Sequence, residues 1–167
     1  MKNFSTSGPL FSRNLSLNLG GAIMDLSAPR VMGILNITPD SFYEESRVAT
    51  PELALEKARE MIRLGADILD VGAVSSRPGA PEVPAAEELQ RLTPVLEAIR
   101  NAYPDFPLSV DTWRAEVART SSERYGIQLI NDISAGTLDP EMLPTMARLG
   151  IPYIIMHMQG TPARMQD

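Results

Sequence analysis

The sequence predicts an α/β fold built on a parallel sheet, and two observations lead there. From Val31 onward, short and nearly continuous apolar runs alternate with amphipathic stretches, the pattern of buried parallel strands covered on both faces and linked by helices. Each apolar run also ends in polar or small residues: Asn36, then Asp70-Val71-Gly72, Asp111-Thr112, Asn131-Asp132 and His157.

The elements follow in order. Leu15–Leu19 and Ala22–Leu26 flank Gly20-Gly21, which reads as a β-hairpin. Val31–Ile37 is the first strand of the repeating pattern. Thr50-Pro51 is an N-cap followed by proline at the first helical position, and the helix runs to about Leu64 with Ala54, Ala58, Met61 and Ile62 on one face, stopping at Gly65. Asp67–Val71 is the second strand. Pro84–Tyr103 is helical, with Pro94 expected to divide it and Thr93 to cap the second piece. Pro107–Val110 is the third strand, Trp113–Tyr125 the third helix and Gln128–Asn131 the fourth strand. Asp139-Pro140 is expected to open a fourth helix ending at Gly150, distorted by Pro144, before the fifth strand at Ile151–Met156. A closed (β/α)8 barrel takes about 250 residues, so length favours an open doubly wound sheet. The polar strand ends favour the barrel, where they share one face.

Composition narrows the function. The 167 residues are enough for one domain with a core, and 44% apolar and 22% charged residues are ordinary for a globular protein. Without cysteine there is no disulfide framework, thiolate metal site or thiol nucleophile. A net charge of −6 argues against general nucleic-acid binding, although a local arginine or metal ion can reverse the sign within a pocket. No run approaches about 18 apolar residues, the N-terminal segment lacks a secretory apolar core, and the chain is read as cytoplasmic.

The strand ends supply candidate chemistry. Val31–Arg47, VMGILNITPDSFYEESR, leaves a strand directly into an amide, hydroxyls, a carboxylate and an aromatic ring. Thr-Pro-Asp-Ser is also good turn chemistry. Asp111 only accepts hydrogen bonds when ionised, while Asn131 offers donors and an acceptor. Together they match a flat heterocycle showing N–H groups beside a ring nitrogen. Alternatively, Asp111 caps the helix at Trp113 and Asn131 closes an Asx-turn. Arg77, in a Pro-Gly loop, suits a carboxylate or phosphate or is a solvated surface residue. His157 has no second histidine to share a metal. Asn36 can give one oxygen to Mg²⁺, which keeps most of its waters and leans on substrate phosphates, or is a buried, satisfied amide.

These residues together resemble dihydropteroate synthase. The resemblance is carried by Met32-Gly33-Ile34-Leu35-Asn36-Ile37-Thr38-Pro39-Asp40-Ser41-Phe42 and by Asp70-Val71-Gly72-Ala73-Val74-Ser75-Ser76-Arg77-Pro78-Gly79-Ala80. Ser109-Val110-Asp111-Thr112, Ile130-Asn131-Asp132-Ile133-Ser134 and Met156-His157-Met158-Gln159-Gly160-Thr161 carry it further along the chain. It implies a (β/α)8 TIM barrel, here the N-terminal hairpin and about the first five strands. Residues 1–29 would be an extension and hairpin capping the barrel floor, and 30–167 a partial pterin-binding domain.

The implied reaction condenses 6-hydroxymethyl-7,8-dihydropterin diphosphate with 4-aminobenzoate in folate synthesis, releasing diphosphate. By this resemblance Ser76, Asp111, Asn131, Ile133 and Met156 bind the pterin diphosphate. Thr38, Pro39, Asp40, Ser41, Phe42, Ser75, Arg77 and Pro78 line the 4-aminobenzoate pocket, which also takes sulfonamide inhibitors. Asn36 holds Mg²⁺, and the full-length protein is a homodimer. Tyr43-Glu44-Glu45-Ser46, Ala73, Val74 and Ser76 depart from the family's usual residues. The family's three later strands, with a further pterin-binding Asp, a Lys and an Arg…His pair, have no counterpart before Asp167. The isolated chain is therefore expected to be inactive. A non-catalytic pterin-binding module and a pterin-dependent methyltransferase domain are the competing readings.

Overall fold

The structure, a computed structural model, describes residues 15–38, 50–75 and 82–156. A hairpin of β1 (Ser16–Leu19) and β2 (Ala22–Asp25) is followed by β3 (Met32–Asn36), α1 (Pro51–Arg63), β4 (Ile68–Gly72) and α2 (Ala85–Ala102). Then come β5 (Leu108–Asp111), α3 (Ala115–Tyr125), β6 (Leu129–Asp132), α4 (Met142–Leu149) and β7 (Tyr153–Ile155). The hairpin turns at Gly20 and Gly21, both at positive φ (64° and 100°), where only glycine is unstrained.

Strands β3 to β7 form one parallel sheet in sequential order. A doubly wound sheet reverses its strand order at a switch point; this one does not, and consecutive helices pack side by side. The choice left open by length is thereby resolved towards a five-strand arc of (β/α)8 type.

Alternation along each strand divides the sheet into two faces. Leu35, Leu69, Val71, Leu108, Val110 and Ile130 face the helices and pack with Ala54, Ala58, Leu92, Leu96, Ile99 and Val117 in the main core. On the opposite face Ile68 and Leu129, at the amino ends of their strands, pack with Leu19 of the hairpin. Further along that face Ile34 is 61% exposed and Ile154 39%. The expected cover on both faces therefore holds on the helix side and beneath the hairpin, but not at the sheet's two outer strands.

Thr50 caps α1 as expected, its hydroxyl accepting from Leu53 N at 3.3 Å, with Pro51 in first position. Two helix expectations are corrected. Pro94 does not divide α2, which continues through it as one 18-residue helix. Its ring lies on the exposed face, where water can meet the carbonyl of Gln90 that lacks its helical donor. Thr93 caps nothing; its hydroxyl accepts from Tyr125 Oη at 3.1 Å, joining α2 to α3. Helix α4 begins at Met142 rather than at Asp139-Pro140. Pro144 thereby falls in the first turn, where a missing N–H breaks no helical bond.

Candidate active site

The carboxyl ends of four adjacent strands are in register. Asn36 pairs with Gly72, Gly72 with Asp111, and Asp111 with Asn131. One row crosses the sheet, on the face turned away from the helices. Two residues lower on the same face runs a second row, in which Asp70 is the partner of Ile34 and Ser109.

Gly72 lets the upper row close up. A Cβ there would stand 3.1 Å from Asn36 Oδ1 and 3.5 Å from Asp111 Oδ2, so the missing side chain is what allows the amide and the carboxylate to approach over bare backbone. Asn36 is exposed, which excludes the reading of a buried, satisfied amide.

Asp111 is half-buried, and burial pushes its carboxyl up to about 7, with the charges of Asp70, Glu88 and Asp132 acting in the same direction. It does not cap α3. The helix's first N–H, of Ala115, donates instead to Asp139 Oδ2 at 2.8 Å, from the loop before α4. Asn131 reaches across the sheet, its Nδ2 donating to Asp70 Oδ2 at 2.9 Å. An Asx-turn is closed by the next residue. Asp132 accepts from Ser134 N at 2.7 Å, Ser134 Oγ at 2.8 Å and Gly136 N at 2.8 Å, and from the Tyr153 hydroxyl. These bonds hold the tight turn after β6, with Ala135 at φ 51° and Gly136 at φ 79°, and so fix the position of half-buried Ile133. Burial, followed by the bond to Asp132, raises the Tyr153 hydroxyl's pKa.

Met156 follows β7, 41% exposed, its N–H donating to Asp132 O at 3.2 Å. Thr38 is buried just beyond β3 and Ser75 half-buried just beyond β4. The structure thus brings Asn36, Thr38, Ser75, Asp111, Asn131, Ile133 and Met156 to the carboxyl ends of the strands. Pro39, Asp40, Ser41, Phe42, Ser76, Arg77, Pro78 and His157 lie outside the described residues.

Sequence reasoning assigned no role to several residues that shape this site. Asp70 is 2% exposed; burial raises its pKa, offset by Ser109 and Asn131. Its position in Ile68–Gly72, one alternation before Gly72, could have marked it as a charged group on the site's face. Glu88 is 1% exposed and bonded to Arg114 Nη1 at 2.5 Å. Burial raises its pKa while Thr112, Arg114 and Arg91 act against the rise. The signal was the spacing of Glu88 with Leu92 and Ile99, which puts a carboxylate on the apolar stripe of α2.

A family model described as pterin binding enzyme matches residues 32–167. The chain belongs to the pterin-binding enzyme family. Among curated family relatives, the dihydropteroate synthase of Haemophilus influenzae is 44% identical over 152 residues, 91% of this chain and 54% of that protein. The mitochondrial folate synthesis bifunctional protein of Arabidopsis thaliana is 46% identical over 155 residues, 90% of this chain and 28% of that protein. The chain thus spans about half the length of the former and under a third of the latter.

Solved structures agree. The Yersinia pestis dihydropteroate synthase with a sulfonamide drug complex superposes with a TM-score of 0.81 at 45% identity, covering 90% of this chain and 54% of that one. The Xanthomonas albilineans dihydropteroate synthase with 4-aminobenzoic acid gives 0.77 at 40% identity, covering 87% and 53%. Among the described residues no helix is long and apolar enough to cross a membrane.

Proposed function

We propose that the protein is a dihydropteroate synthase, joining 6-hydroxymethyl-7,8-dihydropterin diphosphate to 4-aminobenzoate through a new C–N bond with release of diphosphate. The observation that carries this reading is the in-register row of Asn36, Gly72, Asp111 and Asn131 at the carboxyl ends of adjacent parallel strands, where (β/α)8 enzymes place their sites. Relatives named dihydropteroate synthase support it, as does the 4-aminobenzoic acid in the Xanthomonas albilineans structure.

In this reading Asp111 and Asn131 hold the pterin edge. An ionised Asp111 accepts from ring N–H groups and Asn131 adds a donor and an acceptor. Ile133 and Met156 pack on the ring, and Ser76 meets the diphosphate. Thr38, Pro39, Asp40, Ser41, Phe42, Ser75, Arg77 and Pro78 hold the 4-aminobenzoate, and a sulfonamide in its place. Breaking the C–O bond to diphosphate leaves a methylene cation delocalised into the pterin ring. The aromatic amine then attacks it and loses a proton to solvent, so positioning carries most of the catalysis.

Asn36 fits a role as Mg²⁺ ligand. Its exposed amide oxygen looks over the bare Gly72 backbone towards Asp111, and an Mg²⁺ site needs few protein oxygens beside substrate phosphates and water. Bound there, the ion would stabilise charge on the departing diphosphate. A homodimer, a cytoplasmic location and a division into a hairpin segment (1–29) and a pterin-binding domain (30–167) complete the reading.

The test is a turnover assay on the protein at its natural length with both substrates and Mg²⁺. Formation of 7,8-dihydropteroate, blocked by a sulfonamide, is the expected result. Pterin binding without product would favour the non-catalytic module instead.

A further inference from the structure

Asp70 is a carboxylate buried in the middle of a strand, with 2% exposure, too deep to be part of the surface a ligand meets. Its Oδ2 takes the Asn131 amide at 2.9 Å, while Oδ1 and the adjacent Ser109 Oγ are buried without a well-formed hydrogen bond, and Ser109 only partly offsets the burial of the carboxylate. Such an arrangement carries a desolvation cost without a balancing ion pair. An apolar side chain would avoid that cost, so the carboxylate is not explained by stability.

What the carboxylate does is choose between the two ends of an amide. Asn131 can present either Nδ2 or Oδ1 to the sheet. An ionised carboxylate only accepts, so turning Oδ1 towards Asp70 would set acceptor against acceptor. With one N–H committed to Asp70, Asn131 keeps its oxygen and one N–H for a ligand, an acceptor beside a donor.

We infer that Asp70 is a positioning residue, locking the Asn131 side chain in the one amide orientation that pairs with a ring N–H adjacent to a ring nitrogen on the pterin. The inference rests on the pterin reading of the site and deepens it. Asp70 does not touch the ligand; its whole effect passes through Asn131.

The experiment is a double-mutant cycle on the protein at its natural length, titrated calorimetrically with 6-hydroxymethylpterin. Asp70→Leu is expected to weaken binding about tenfold, the scale of one misplaced hydrogen bond, with a Tm unchanged or raised. Asp70→Asn, whose amide oxygen can still accept from Asn131, is expected to lose less, and it stands in if the leucine variant does not fold. Added to Asn131→Ala, either substitution is expected to cost nothing further. A loss of equal size in the Asn131→Ala background, or no loss from Asp70→Leu, overturns the inference. The Asn131 side-chain NH₂ signal in a ¹⁵N spectrum separates the two readings. If the unsubstituted protein does not bind the pterin, the pterin reading falls. If its Asn131 amide shows no exchange protection lost in Asp70→Leu, the positioning role falls whatever binds.

Discussion

Arg114 donates to Glu88 through Nη1 at 2.5 Å, and to Val83 O through Nη2 at the same distance, tying the exit of β5 to the entry of α2. The side chains are 13% and 1% exposed, so this pair is not a surface contact. Removing Arg114 leaves the buried Glu88 carboxylate with only Thr112 and the more distant charge of Arg91 to offset its burial, and Arg114→Ala is expected to destabilise the fold by about 3 kcal/mol, read as a lower urea midpoint. A change below about 1 kcal/mol, the range of exposed pairs, would show that water reaches Glu88.

Asp111 supplies a pH dependence whose sign is fixed. Its carboxyl is raised from 3.8 to about 7, so the folded state holds a proton that the unfolded chain has already released across that window. Stability from this group is complete below pH 3.8 and is lost progressively as pH rises to about 7. Asp111→Asn should flatten this part of the stability profile, as measured by urea midpoints at pH 5 and pH 8. Pterin binding should run the other way, strengthening through neutrality as the acceptor ionises. An unchanged profile in the variant would remove Asp111 as the source.

Gly72 separates site geometry from stability. In Gly72→Ala the new methyl meets Asn36 Oδ1 at 3.1 Å, and the exposed amide can swing away at little cost. The expected result is a Tm within a few degrees of the parent, consistent with a change of about 1 kcal/mol, together with turnover reduced about tenfold or more, as misplaced groups in active sites produce. Full activity would mean that Asn36 needs no fixed place over β4.

Asp139 ties together the starts of two helices, accepting from Ala115 N, the first N–H of α3, at 2.8 Å through Oδ2 and from Glu141 N, the residue before α4, at 3.0 Å through Oδ1. Asp139→Ala should therefore cost more than a single cap, about 2 kcal/mol or above against the usual 0.5–2. Loss of protection at both α3 and α4 in amide exchange would confirm the shared role.

These particulars mark what the chain reveals as plain sequence. Thr50-Pro51 and Gly20-Gly21 act within three residues, and the elements they bound are where local chemistry puts them. The strand ends were also legible, because an apolar run broken by Asn36, Asp111 or Asn131 announces its own exit. Pro94 departs from the local expectation because a rule about backbone donors carries no information on exposure, and water can serve the freed carbonyl. Asp70 and Asp139 act across 61 and 24 residues of chain; their roles follow from register and loop packing, which no local pattern encodes. Pro94→Ala is the corresponding test. Restoring a donor and removing the ring should stabilise α2, up to the roughly 3 kcal/mol by which proline disfavours a helix interior.

The central claim is that the register partners at the strand ends form a pterin site, and calorimetric titration of the natural-length protein with 6-hydroxymethylpterin tests it most directly. The account predicts one ligand per chain and an affinity lowered about tenfold or more by Asp111→Ala, as expected when a charged hydrogen-bond partner is removed. No heat of binding at millimolar pterin, or an unchanged affinity in the Asp111 variant, would contradict it.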